Sequence, residues 1–219
     1  MATRALLQEL AAMHTQRTGV EVMFEAVGGV EAAKRVAAGE PFDVAVLASD
    51  AIDRLLAAGK LDGAGRVDLV RSGVGVAVPA GAARPDISTE EAVRHAVLDA
   101  PCVAYSTGPS GVALMAQFGR WGIAGELQGR LVQAPPGVPV ASLLSGGEAT
   151  LGFQQMSELI GAQGIELVGP LPDEIQIITT FSAAPRLAAR HANAVREMLD
   201  FMVSTDCDRV KRSLGMERA

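Results

Sequence analysis

The alternation of strand-like apolar runs with helix-period segments constrains this chain more than any other feature, because it is the pattern of a parallel sheet covered by crossover helices. Thr3 to Arg17 has helical periodicity, with Leu6, Leu7, Leu10 and Met13 on one face. Val20 to Phe24 follows as an expected strand, then a helix from Val30 to Ala38 closed by Gly39. Phe42 to Ala48 reads as a buried strand, and Ser49 or Asp50 is expected to cap a helix over 51–58 that ends at Gly59. The expected fold class is α/β.

At Val67 the pattern changes to a long β-rich stretch reaching Val78, broken by Gly73 and Gly75 and ended by Pro79. Ser88 and Glu91 have capping-box spacing at the start of a helix that runs to Leu98. Strand 102–104, helix 112–121, strand 131–133, helix 139–145 and strand 149–153 make a second α/β unit. Glu174 to Ser182 is β-rich again, and helices from Asn193 to Val203 and Asp206 to Leu214 complete the chain. Two β-rich crossings between two α/β lobes predict a discontinuous lobe I, residues 1–74 plus 180–219, and a lobe II of residues 75–179. A ligand cleft is expected where such lobes meet, with hinge closure as the motion.

One segment carries chemistry of its own. Tyr105-Ser-Thr-Gly-Pro-Ser-Gly111 lies between an apolar run and a helix-like stretch, so it reads as a strand-to-helix turn. The first N–H groups of a helix have no intrahelical partner and sit at the positive end of its dipole, and hydroxyls add movable donors, so such turns bind anions. The same residues also suit a plain helix cap beside a glycine turn.

Composition removes several function classes. A formal net charge of −6, with no basic stripe interleaved with aromatics, excludes nucleic acid as a partner. Cys102 and Cys207 have no metal-ligand neighbours in sequence and read as free thiols. No metal-binding spacing, P-loop or Gly-x-Ser-x-Gly elbow occurs, so no metal and no cofactor is expected. The longest apolar runs stop well short of the roughly 20 residues that span a bilayer, so no membrane insertion is expected. The N-terminus has no secretory leader, which as written predicts the cytoplasm.

The strings Gly39-Glu-Pro-Phe-Asp-Val-Ala-Val-Leu-Ala-Ser-Asp50, Gly73-Val-Gly-Val-Ala-Val-Pro79, Pro85-Asp-Ile-Ser-Thr89, Ala104-Tyr-Ser106 and Gly152-Phe-Gln-Gln155 occur in order along the chain. Together they resemble the molybdate-binding periplasmic protein family, the type 2 periplasmic binding proteins that deliver oxyanions to ABC transporters. Gly152-Phe-Gln-Gln-Met-Ser-Glu158 and Val168-Gly-Pro-Leu-Pro172 look closer to a divergent branch that is similar to bacterial aconitate isomerase.

The resemblance implies two α/β lobes joined by two β crossovers, a monomer, a small anionic ligand and an ABC transporter permease as protein partner. The function it implies is a substrate-binding protein for a molybdate-like oxyanion or a carboxylate. The alternative is a cofactor-independent isomerase that moves a double bond by allylic proton transfer. Carried over to this sequence, the ligand-binding positions are Thr3, Gly28, Gly29, Ser49, Tyr105, Ser106, Ser110, Gly111, Gln154, Gln155 and Ser182. One of the two glutamines is expected to point inward, since strand side chains alternate. For an isomerase, Glu25 and Tyr105 are the candidate proton-transfer groups. Family members also open with a strand that lies between those expected at Val20 to Phe24 and Phe42 to Ala48, and this sequence starts after it. The expectation is an N-terminus cut short there, with the protein periplasmic if a leader was lost with that strand.

Overall fold

The computed structural model describes residues 1–187 and 189–219. In chain order the elements are α1 (Arg4–Thr18), α2 (Gly29–Ala37), β1 (Val44–Ala48), α3 (Ser49–Ala57), β2 (Val67–Pro79), α4 (Glu90–Asp99), β3 (Val103–Tyr105), α5 (Pro109–Arg120), β4 (Leu131–Gln133) and α6 (Val140–Ser145). They continue with β5 (Leu151–Gln155), α7 (Met156–Leu159), β6 (Ile165–Pro170), β7 (Ile178–Pro185), α8 (Ala192–Val203), α9 (Asp208–Ser213) and β8 (Met216–Arg218). The chain divides into two compact units, Met1–Ser72 with Thr179–Ala219, and Gly73–Ile178.

In the second unit the strand order is β6-β2-β5-β3-β4. β3 runs parallel to both β4 and β5, while β2 is antiparallel to β5 and β6. Apolar clusters cover both faces of this mixed sheet, whose β3 is flanked by parallel neighbours on either side. One gathers Val76, Val93, Val103, Leu114, Phe118 and Phe153, the other Ala104, Val140, Leu143, Leu144 and Leu159. Phe118 and Phe153 meet edge to face at 6.2 Å between ring centroids.

In the first unit the order is β1-β7-β2, with β8 also paired to β2. β1 and β7 are antiparallel, in register from Val44 opposite Pro185 to Ala48 opposite Phe181. Leu6, Leu7 and Leu10 of α1 pack with Met198, Leu199 and Met202 of α8, and Ile52 and Leu55 of α3 cover Ala45 and Leu47.

Several expectations require correction. Val20 to Phe24 forms no strand: residues 20–28 belong to no helix or ladder, because no strand partner runs beside them among the described residues. The cap of α4 is Thr89, whose Oγ1 accepts from Ala92 N–H at 3.2 Å. Ser88 is held outside the helix, its own N–H bonded to Asp86. α3 begins at Ser49 itself, with Ala48 at the cap position and no side-chain cap. α5 starts at Pro109 rather than Val112, since proline loses nothing at a first helical position whose N–H is unpaired anyway. Asp173–Ile175 is a short 3-10 turn, and the second β-rich crossing is a strand only from Ile178. β6 and β8, both unforeseen, are antiparallel partners of β2. The glycine-closed helices behave as read, with Gly39 and Gly59 at φ of 83° and 65° just beyond α2 and α3.

Candidate functional site

In the second unit, β3 and β5 end side by side. Their parallel register sets Tyr105 opposite Phe153, so the turns that follow share the carboxyl rim of the sheet. Sites in α/β folds gather on that rim, because helices begin there. Tyr105 is half-buried and packs on the apolar cluster. Ser106 leads into the turn, and its Oγ lies 3.0 Å from Oγ of Ser110, which is only 4% exposed. Gly111 N–H and Val112 N–H both reach Gly108 O, and Pro109 has no N–H, so Ser110 carries the free N–H of that first turn.

Gly111 is what lets this turn close. A Cβ there would stand 1.8 Å from Ser106 O, inside any allowed contact, so the loop lies directly on the helix backbone. The motif therefore places two hydroxyls, a helix N-terminus and a tyrosine within one turn of chain.

On β5 both glutamines are buried, Gln154 at 3% and Gln155 at 4%, which corrects the expectation that only one faces inward. β5 is an interior strand with packed elements on both faces, so alternation moves a side chain from one covered face to the other. Gln154 Oε1 accepts from Val140 N–H at 2.8 Å, and its Nε2 donates to Glu158 Oε2 at 2.9 Å. Glu158, on α7 directly after β5, was not singled out from the sequence. Burial pushes its carboxyl above the usual range, while a positive charge, that of the Met1 amine, and to a lesser degree the Gln154 hydrogen bond work in the opposite direction. An acidic residue three positions after a glutamine pair is visible in any sequence; that it is sheltered is a product of packing.

The remaining expected positions lie in the first unit. Gly28 is the cap residue of α2 and Gly29 its first residue, with no side-chain cap. Ser49, half-buried, opens α3, and Thr3, 8% exposed, sits at the cap position of α1 without a side-chain cap bond. Ser182 is fully buried on β7, and its hydroxyl donates to Asp68, which Arg66 also holds at 2.9 Å. Its proton is thus already given to a carboxylate.

Glu25 lies in the unpaired segment 20–28, not at a strand end. Arg35 grips both of its oxygens, at 2.6 and 3.0 Å. The hydrogen bonds from Arg35 hold its carboxyl below the ordinary range, which makes it a weaker base. Among the described residues no group of three or more His, Cys, Asp or Glu side chains could hold a metal ion. No helix among them is long and apolar enough to cross a membrane.

Comparison with known proteins adds three relations. The chain is 35% identical to an aconitate isomerase from Pseudomonas sp over 217 residues, covering 96% of this chain and 82% of that protein. It superposes on the periplasmic molybdate-binding protein of Azotobacter vinelandii with a TM-score of 0.81 at 18% identity, covering 98% of this chain and 95% of that one. The tungstate-binding protein TupA of Desulfovibrio alaskensis G20 gives a TM-score of 0.64 at 18% identity, over 94% of this chain and 87% of that one. The two structural likenesses establish the periplasmic-binding-protein fold. The family described as bacterial extracellular solute-binding protein matches residues 1–217, and the chain belongs to that family.

Proposed function

We propose that this protein binds a small polycarboxylate of the aconitate type and moves its double bond without a cofactor. The observation that carries this reading is the 35% identity to an aconitate isomerase over 82% of that protein's length. The rim of the second unit supports it chemically. Tyr105, Ser106 and Ser110 supply hydroxyls, Ser110 a free helix N–H, and Glu158 a sheltered carboxyl. Hydroxyls and N–H groups recognise carboxylates, and a carboxyl can serve as general acid and base toward a bound substrate.

A second reading, an oxyanion receptor that hands molybdate or tungstate to an ABC permease, draws on the two structural neighbours.

Thermal unfolding against molybdate, tungstate, sulfate, citrate, cis-aconitate and trans-aconitate separates the readings, because a ligand that binds only the folded state raises the melting point. Stabilisation by the aconitates is expected. A rise with molybdate or tungstate alone would move the protein to the receptor class. Ser106→Ala combined with Tyr105→Phe is expected to weaken aconitate binding at least about tenfold in titration calorimetry, roughly 1.4 kcal/mol. Unchanged affinity would remove both residues from the site.

A further inference from the structure

Glu158 is the one titratable group on the rim of the second unit whose surroundings fix how it is used. Gln154 Oε1 takes a backbone N–H, from Val140, and a backbone N–H can only donate. That contact settles the amide orientation, so the NH2 end faces Glu158 and donates to Oε2. A carbonyl oxygen accepts this hydrogen bond better than a hydroxyl oxygen does, so the contact favours a proton on the other oxygen. A proton on this carboxyl is therefore favoured on Oε1, which makes no hydrogen bond among the described residues and is not among the buried atoms without a partner. Ser157, the preceding residue, has its Oγ buried without a partner. Gln154 is itself 3% exposed on an interior strand, so the whole chain of contacts from Val140 to Glu158 is held rigidly.

We propose that Glu158 is the proton-transfer group of this protein, with Oε1 taking the allylic proton from a bound tricarboxylate and returning it at the far end of the alkene. This rests on the isomerase reading above. The methylene C–H bond breaks toward Oε1, and its electron pair forms the new double bond to the central carbon. The old π pair then takes the proton back from Oε1 at the carbon beyond. One proton moves, no electron leaves the substrate, and no oxidant, metal or cofactor enters the balance. Burial shifts the carboxyl in the direction that a general acid–base group needs, and the Gln154 amide holds its other oxygen. Glu25 is less suited to the task, because both its oxygens are already occupied by Arg35. Gln154 becomes a positioning residue rather than a ligand contact.

The test compares wild type, Glu158→Gln and Glu158→Asp, with trans-aconitate as substrate. Isomerisation is followed by absorbance, carbon-bound deuterium uptake from D2O by NMR, and binding by calorimetry. Glu158→Gln is expected to bind within about threefold of wild type while isomerisation and deuterium uptake fall together by about 10²–10⁴-fold. Glu158→Asp, which keeps the charge but withdraws it by one methylene, is expected to lose about 10²-fold in rate with binding retained. It also decides the matter if the Gln variant melts early. A wild-type rate in either variant overturns the role of Glu158 and leaves the isomerase reading standing. Wild-type protein that binds aconitate yet neither isomerises nor exchanges it overturns the isomerase reading, and the role with it.

Discussion

Each unit of this protein shelters a titratable side chain from water, Glu158 in the second and Lys211 in the first, and these two are treated in opposite ways. In the second unit Glu158 is sheltered on the rim and given one donor, the amide of Gln154. In the first unit Lys211 of α9 is 1% exposed, and its Nζ has no hydrogen-bond partner. The sheets differ in the same sense. The second unit builds a five-stranded ladder with apolar clusters on both faces. In the first, β1 pairs only with β7, and residues 20–28 run unpaired with Met23 86% exposed. Polar groups in the second unit constrain one another around a turn and a strand end. Surface ion pairs occur in both, Glu25 with Arg35 and Asp50 with Arg54 in the first and Arg84 with Glu166 in the second. A carboxyl with an assigned donor and one open oxygen is built for use, whereas an unpartnered buried amine is only a cost to stability.

The largest test of that contrast uses glycine. Gly111→Ala forces a Cβ to 1.8 Å from Ser106 O, and only backbone movement of the turn relieves it. The expected loss is about 3 kcal/mol, or a fall in Tm of about 6–12 °C for a chain of this size. Trp121, the single tryptophan, lies in the second unit, so its fluorescence reports the transition there. Gly29→Ala in the first unit meets nothing within 4 Å and is expected to stay within about 1 kcal/mol of wild type. Equal losses at the two positions would remove the distinction between a turn packed on its helix and an open helix start.

That difference also shows what the sequence made legible. The string from Tyr105 to Gly111 announces a strand-to-helix turn, and β3 does end at Tyr105 with α5 beginning at Pro109. The run before Gln154 and Gln155 announces a strand, which extends through both. Apolar alternation at Val20, Val22 and Phe24 announces a strand equally well, yet none forms, because a ladder needs a neighbour and side-chain pattern does not supply one. β8 was missed because three residues carry no period, and β6 because two of its six residues, Gly169 and Pro170, carry no strand signal. The role of Glu158 was invisible for another reason. Its donor, Gln154, stands only four residues earlier, but the burial of Glu158 and the backbone N–H of Val140 that orients the amide come from packing, which spacing in the chain does not show.

Next in size is the unpartnered amine. Burial lowers the Lys211 pKa from 10.5, while Cys207 and Asp208 draw it back up. A base whose folded-state pKa is depressed weakens the fold while it is charged. The penalty is present below the folded-state pKa and disappears as pH rises from there toward 10.5, so wild-type stability is expected to increase across that window. Lys211→Met keeps the stem and removes the charge, and it is expected to stabilise the protein at neutral pH by about 1–2 kcal/mol and to abolish the alkaline gain. Chemical denaturation at pH 7 and pH 10 reads both effects. A destabilised variant would mean that the amine has a partner, and the contrast with Glu158 would fall.

The smallest effect belongs to the surface of the first unit. Glu25 and Arg35 form a two-toothed pair, but the carboxylate side chain is 56% exposed, and water and salt screen it. Glu25→Gln is expected to move Tm by less than about 2 °C at low salt and by nothing measurable in 1 M salt, where the screening length is about 3 Å. The sign with pH is opposite to that of Lys211. Arg35 lowers the Glu25 pKa below 4.5, so the contribution is present above that value and is lost as pH falls through the depressed one. A salt-insensitive loss of several degrees would show that segment 20–28 depends on this pair to hold its course. The first unit would then be anchored by charge where the second is anchored by packing, and the comparison between them would become sharper.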